Sequence, residues 1–208
     1  MNLSSPITSV IPGASGEVLV ILARTSNELT GNGIAAVANG KVSQTGANKA
    51  LKRLVADGLV VSRPAGKAIL YALNRDHVAA RSIIELSELR SALTNRIREQ
   101  VTGWHVQPLA VALFGSTARG QGTSNSDIDL LVIRPDAIDD ENSVWATQTM
   151  ELTDAVQRWS GNSCEILEYA EGEFASLVRA GDTLVEQLRT DAVGLIGKSP
   201  GDLTRVDR

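Results

Sequence analysis

Between Leu113 and Ile133 the chain reads LFGSTARGQGTSNSDIDLLVI, and no other stretch limits the fold as much. Pro108 to Phe114 is an apolar run of the kind that makes a buried strand. Gly115-Ser116 breaks the run, Thr117-Ala118-Arg119 can begin a short helix, and Gly120 stops it. Gln121, Gly122, Thr123, Ser124 and Asn125 form a polar loop, and a second strand follows from Asp127 to Ile133. Both strands are too apolar for a surface hairpin. Side chains alternate along a strand, so Asp127 and Asp129 share one face, roughly 7 Å apart along the chain. Ile128 and Leu130 take the other face, into a core.

Two carboxylates held side by side repel, and without a cation at least one is driven towards its neutral form. A hard divalent ion removes that penalty, and carboxylate oxygens are what Mg²⁺ prefers. Two such ions roughly 3.5–4 Å apart can activate an attacking oxygen and stabilise a leaving one at phosphorus. The Gly-Ser turn opening a helix offers backbone N–H groups, a hydroxyl and a favourable dipole end for phosphate. A side chain at Gly115 would block close approach of a triphosphate.

The Gly-Ser turn, the Ala118-Arg119-Gly120 triplet and the Ser-Asp-Ile-Asp strand together resemble the signature of the DNA polymerase beta-like nucleotidyltransferase superfamily, in its small "minimal" bacterial and archaeal branch. The resemblance implies transfer of a nucleoside monophosphate from a nucleoside triphosphate to an acceptor hydroxyl, with pyrophosphate leaving. Asp127 and Asp129 would hold Mg²⁺ (or Mn²⁺), and Gly115, Ser116, Arg119 and Ser126 would contact the nucleotide. Arg119 would either neutralise phosphate or salt-bridge the Asp pair. The family carries a third carboxylate on a later strand, and Ser163 to Tyr169 (SCEILEY) reads as that strand. Alternation puts its two acids, Glu165 and Glu168, on opposite faces. Glu165, which precedes the Ile-Leu pair, is the better match as catalytic and metal-binding residue. The family has Asp at this place, and Glu reaches one methylene further.

Composition narrows the rest. Aromatic residues are only 3% of the 208, so the core must be built mostly from Ala, Val, Leu and Ile. A net charge of −4 argues against a globally basic nucleic-acid coat but leaves room for local patches. Cys164 is the single cysteine, which excludes an intrachain disulfide and a cysteine zinc site. His77 and His105 are too few for a His-ligated metal or a His-dependent triad. No run is long enough for a membrane span and no signal peptide is evident, so a cytoplasmic protein is expected.

Residues 1–75 are expected to form a domain of their own. Met1 to Ala14 has no period and reads as a loose lead-in. Gly16 to Thr25 is a short helix, Thr30 can cap a second, and Asn39-Gly40 makes a turn. Ser43 caps a third helix that ends near Asp57, with Gly58 beyond it and Ala47, Ala50, Leu51 and Leu54 on its inner face. Leu59 to Ser62 and Ala68 to Leu73 are strand-like runs joined by Arg63-Pro64-Ala65-Gly66-Lys67, a hairpin with a basic tip. Helices followed by a β-wing, with LKRLVADGLV at the helix exit, resemble the winged helix-turn-helix fold of bacterial regulators. Between Lys41 and Lys67 the cations Lys41, Lys49, Lys52, Arg53, Arg63 and Lys67 face Asp57 alone. A helix in the major groove would offer Gln44, Thr45 and Asn48 to base edges, with Lys49, Lys52, Arg53, Arg63 and Lys67 on phosphates. A solvated face of a protein-interaction domain is the bland alternative. Double-stranded DNA is therefore an expected partner.

Residues 76–107 carry a broad apolar stripe (Val78, Ile83, Ile84, Leu86, Leu89, Leu93, Ile97) with no Pro or Gly before Gly103. One long linker helix is expected, its outer side able to meet a second copy in a homodimer. Trp104 and His105 read as packing or capping residues. Residues 108–197 then form an α/β (α+β) domain with a mixed sheet flanked by helices, and 198–208 a loose tail. The alternative is a non-catalytic, nucleotide-sensing regulator or a toxin–antitoxin component.

Overall fold

A computed structural model describes residues 1–139 and 141–205 of the chain. It divides into two compact units: Asn2 with Ser4–Arg90, and Met1 and Leu3 with the residues from Ser91 onward.

The first unit contains α1 (Ala14–Ala23), β1 (Leu29–Thr30), α2 (Gly31–Val37), α3 (Gln44–Ala56), β2 (Val60–Ala65), β3 (Ala68–Leu73) and α4 (Ala80–Ser87). Local chemistry sets the helix starts. The hydroxyls of Thr30 and Ser43 accept from the amides of Gly33 at 3.0 Å and Gly46 at 3.1 Å, satisfying donors the first turn leaves open. Gly58 turns the chain after α3 with φ +75°, a conformation that costs other residues a Cβ clash. α3 buries Ala47, Ala50, Leu51 and Leu54, the stripe its sequence spacing sets. They pack with Val18, Leu22, Ile34 and Val60 in one core. The antiparallel sheet runs β1-β3-β2; β1 went unseen in the sequence because two residues show no alternation.

Two expectations need correction here. The lead-in is not loose: Pro6–Ser9 makes a 3₁₀ turn, and Ile7 is fully buried in the first unit's core. A lone apolar anchor among polar residues leaves no period to read. The expected single helix over 76–107 is instead two, α4 and α5 (Leu89–Thr102), with Glu88 leaving helical geometry between them. No Pro or Gly causes the break. Arg24 donates through Nη2 to the Ser87 carbonyl at 2.6 Å, an acceptor that a continuous helix would have used for itself.

The second unit continues from α5 through β4 (Ala110–Phe114), α6 (Gly115–Ala118), β5 (Ile128–Arg134), α7 (Ser143–Ser160) and β6 (Cys164–Ala170). It closes with α8 (Glu171–Ala180), α9 (Thr183–Asp191), β7 (Val193–Gly197) and α10 (Pro200–Leu203). Its mixed sheet has the order β6-β5-β4-β7; β4 is antiparallel to both neighbours and β5 is parallel to β6. Alternation sorts β5 into two cores. Ile128, Leu130 and Val132 cluster with Leu93, Ile97, Val101, Trp145, Leu152 and Val156 from α5 and α7. Leu131 and Ile133 cluster with Phe174 and Val178 of α8 and Val185 and Leu188 of α9. Helices cover both faces, which is why β5 reads as a near-continuous apolar run. Trp104 packs edge to face on Trp145, ring centroids 5.5 Å apart, inside the first of these cores. Within the expected tail, 200–203 are helical and the Ser199 hydroxyl accepts from the Asp202 amide. Residues 206–208 lie outside the described residues. Among those described, no helix is long and apolar enough to cross a membrane.

Candidate active site

β4 is wholly apolar until Phe114, and the chain then turns at Gly115 with φ +69°. A Cβ on Gly115 would collide with the Asp129 carboxylate, coming within 3.1 Å of its Cγ. Glycine is required there twice, by backbone conformation and by space. Asp129 faces Phe114 across the β4–β5 ladder and Glu165 across the β5–β6 ladder. Asp127, two residues before it, lies in the loop just ahead of β5, where the expected strand start at Asp127 gives way to one at Ile128, and its charge reaches Asp129. Asp129 is half-buried, whereas Asp127 and Glu165 are exposed. Asp129 and Glu165 belong to the sheet face that α8 and α9 cover further along.

Electrostatics mark the same place. Burial pushes the Asp129 carboxyl up from its ordinary value, the neighbouring carboxylates of Glu165 and Asp127 push it further, and Arg119 pulls partly back. Burial likewise pushes the Cys164 thiol up to about 12, with Asp129 and Glu165 adding to it. That thiol stays protonated and is a core group, not a nucleophile.

Of the two acids on β6, Glu168 is engaged elsewhere: Arg134 donates to it from Nε at 2.9 Å, with the Arg134 side chain only 10% exposed. Glu165 is the one abreast of Asp129. Arg119 does not salt-bridge the Asp pair. Its Nη1 lies 2.6 Å from Asp191 of α9, and its Nε donates to Gln121 at 3.2 Å. Ser116 is half-buried in α6. The Ser126 hydroxyl, also half-buried, accepts from the Thr123 amide at 2.9 Å. Two neighbours had no signal in the sequence: Asp191, and Thr117, whose buried hydroxyl donates to the Asp127 carbonyl at 3.1 Å. Both act through tertiary contacts that no spacing announces.

A set of carboxylate oxygens suits a hard divalent ion. Among the described residues, no three of His, Cys, Asp and Glu stand close enough to hold one as they are. Asp129 is fixed by its strand and by Gly115. Asp127 and Glu165 are exposed, so their side chains have room to change rotamer. The donor set therefore fits Mg²⁺ or Mn²⁺ by its chemistry, with Asp127 and Glu165 near enough for their charges to reach Asp129.

The residues expected to meet DNA lie on α3 and the β2–β3 hairpin of the first unit. Thr45, Asn48, Lys49, Lys52 and Lys67 are exposed. Three others have local partners: Gln44 bonds Asn32, Arg53 sits 3.6 Å from Asp57, and Arg63 donates from Nε to Glu28 at 2.7 Å. The Arg63 hydrogen bond holds the Glu28 carboxyl below its ordinary value.

The model of the nucleotidyltransferase domain family matches residues 94–173, from within α5 to the start of α8. Residues 94–173 are a nucleotidyltransferase domain. The matched span contains the Gly115 turn, both aspartates and Glu165. Among solved structures, the nucleotidyltransferase domain's chain resembles a toxin–antitoxin crystallised with AMP-PNP, at 22% identity and a TM-score of 0.38. It also resembles a mutant of the toxin–antitoxin MntA–HpeT, at 19% identity and a TM-score of 0.37. Each likeness covers 53% of this chain and 80% of the other. No curated protein matches the chain.

Proposed function

We propose that the second unit transfers a nucleoside monophosphate from a nucleoside triphosphate to an acceptor hydroxyl. One observation carries the reading: Asp129 sits abreast of Glu165 and against the Gly115 turn, with Asp127 in the loop just before it. Asp127, Asp129 and Glu165 are the residues to hold Mg²⁺ or Mn²⁺. Such an ion, when bound, supplies charge neutralisation and Lewis acidity at the reacting phosphoryl group. The chain's own part is placement. Gly115 leaves room for phosphate beside Asp129, Ser116 and Ser126 offer hydroxyls at the turn and the loop, and Asp191 keeps Arg119 close by. Fixing an acceptor and a triphosphate together is itself a large share of such catalysis.

The first unit, on this reading, is a winged helix-turn-helix that binds duplex DNA. Exposed Lys49 and Lys52 on α3 and Lys67 at the hairpin tip support it, with Thr45 and Asn48 beside them for base edges. A homodimer would pair two recognition helices; a monomeric mass by light scattering at micromolar concentration removes that part.

The test is direct. Purified protein is incubated with each α-labelled triphosphate, Mg²⁺ or Mn²⁺, and tRNA or a lysate as acceptor. Labelled product that disappears in Asp127→Ala and Asp129→Ala is expected. Nucleotide binding without transfer would replace the enzyme by a nucleotide-sensing regulator.

A further inference from the structure

We infer that Asn162 is a positioning residue for Asp127, fixing from the far side the loop on which that carboxylate is carried. The inference rests on the proposed role of Asp127 as a cation ligand. Asn162 lies in the turn between α7 and β6 and is 2% exposed. Its side-chain nitrogen donates to the carbonyls of Thr123 at 3.3 Å, Ser124 at 3.2 Å and Ser126 at 3.0 Å. Only the NH₂ end of an amide can serve carbonyls, so the network fixes which way the group points.

The clamp is anchored in a helix. The Asn162 amide donates to the Ser160 hydroxyl at 3.0 Å, which donates in turn to the Val156 carbonyl at 2.7 Å in the last turn of α7. Gly161, with φ +72°, ends that helix. From the other side Thr117 holds the Asp127 carbonyl, and the Ile128 amide donates to Ser163 at 2.9 Å. The backbone is thus pinned at Ser126, Asp127 and Ile128. Asp129 owes its place to the strand ladder instead, so Asn162 bears on Asp127 and Ser126 and not on Asp129.

Three carbonyls converging on one buried side chain repel one another. Without the donor, each pays a lost hydrogen bond, and the chain relaxes by turning them outward. Asp127 follows its own backbone, so its oxygens leave the position beside Asp129. Nothing in Gly161-Asn162-Ser163 distinguishes this residue from an ordinary residue following a helix.

The experiment uses the full chain, Asn162→Ala, Asn162→Asp and a control, Leu152→Ala, which opens the same unit's core but removes none of the hydrogen bonds to the loop. Mn²⁺ is titrated by EPR, and amide exchange at residues 123–127 is followed by NMR. Mn²⁺ affinity should drop about 10–100-fold in Asn162→Ala, the range for removing a residue that orients a metal ligand. Asn162→Asp should lose as much despite equal volume, since a carboxylate cannot donate and repels the carbonyls. Leu152→Ala should lose stability and keep its Mn²⁺ affinity. Folded Asn162 variants binding Mn²⁺ like the parent overturn the inference. If Asn162→Ala does not fold, Asn162→Asp carries the same comparison. If the parent itself takes up no Mn²⁺, the reading of the acids fails separately, and exchange decides the clamp. Faster exchange at 123–127 in the Asn162 variants than in Leu152→Ala then supports it, and equal exchange overturns it.

Discussion

Like charges gather twice in this molecule, and the two regions treat them differently. In the first unit, acids meet the cations of α3 and the hairpin: Glu28 takes Arg63, and Asp57 lies 3.6 Å from Arg53. In the second, the carboxylates of Asp127 and Glu165 stand near that of Asp129, while the arginine of the same motif is turned to Asp191. Among the described residues, no lysine or arginine forms an ion pair with any of those three acids. A cluster left in repulsion costs stability and persists where something outside the chain relieves it. The acid face therefore carries the stronger functional signal, and the basic hairpin the weaker.

β6 contains its own version of this contrast, and the largest expected effect lies there. Glu168 neutralises an almost buried Arg134, so Glu168→Gln strands that charge and should cost roughly 3 kcal/mol, the low end for a buried pair. Glu165 is exposed and without such a partner; Glu165→Gln should change stability by less than about 0.5 kcal/mol. Cation affinity should respond the other way, lost in Glu165→Gln and kept in Glu168→Gln. Denaturant melts paired with Mn²⁺ titrations check this, and a swap of the two outcomes breaks the comparison.

Gly115→Ala is the next largest. It forces a left-handed residue to carry a Cβ, at about 2 kcal/mol, and pushes the Asp129 carboxylate off its place. Unlike Glu168→Gln it should lose both stability and nucleotide binding. A variant that melts early but binds the triphosphate normally would mean that the turn is merely structural.

The sequence made some of this legible and hid the rest, for identifiable reasons. Phe114-Gly115-Ser116 and Ile128 to Ile133 are contiguous runs, so the two strands and the turn between them could be read directly, with β5 starting one residue later than expected. The choice of Glu165 over Glu168 followed from resemblance and parity; the ladder places Glu165 beside Asp129. The partner of Arg119 could not be read, because Asp191 is far away in sequence. Nor could the break at Glu88, set by a guanidinium from Arg24. Ile7 and Leu3, both fully buried, sit singly among polar residues and carry no period. Local pattern wrote the elements; distant polar contacts decided where they stop and whom they face.

A smaller effect tests the repulsion itself. Asp129 titrates above its ordinary value in the folded chain, so between the two values the folded state holds a proton that the unfolded state has released. Stability therefore falls as pH rises through that window, and the penalty is complete above the folded value. Asp129→Asn removes it. The variant should melt higher than the parent at pH 7, and the gain should fade as the pH is lowered below the unfolded value. Added Mg²⁺ should raise the parent and leave the variant unchanged. A parent that is the more stable at pH 7 without metal would sink the idea of uncompensated acids.

The smallest expected change belongs to the hairpin, where the comparison can be inverted. Arg63 is held by Glu28 through both its Nε and an Nη2 contact, so it is already neutralised when DNA arrives. Glu28→Gln removes the competing charge and leaves the guanidinium available to phosphate. If the first unit binds duplex DNA as proposed, the variant should bind more tightly at low salt. Its plot of log affinity against log salt should steepen by about 0.9, the increment for one more phosphate contact. Arg63→Ala in the parent should change little, because a paired cation contributes little to begin with. If instead Arg63→Ala weakens binding strongly and Glu28→Gln does nothing, the ion pair opens on contact with DNA, and the hairpin's cations are as available as the sheet's acids.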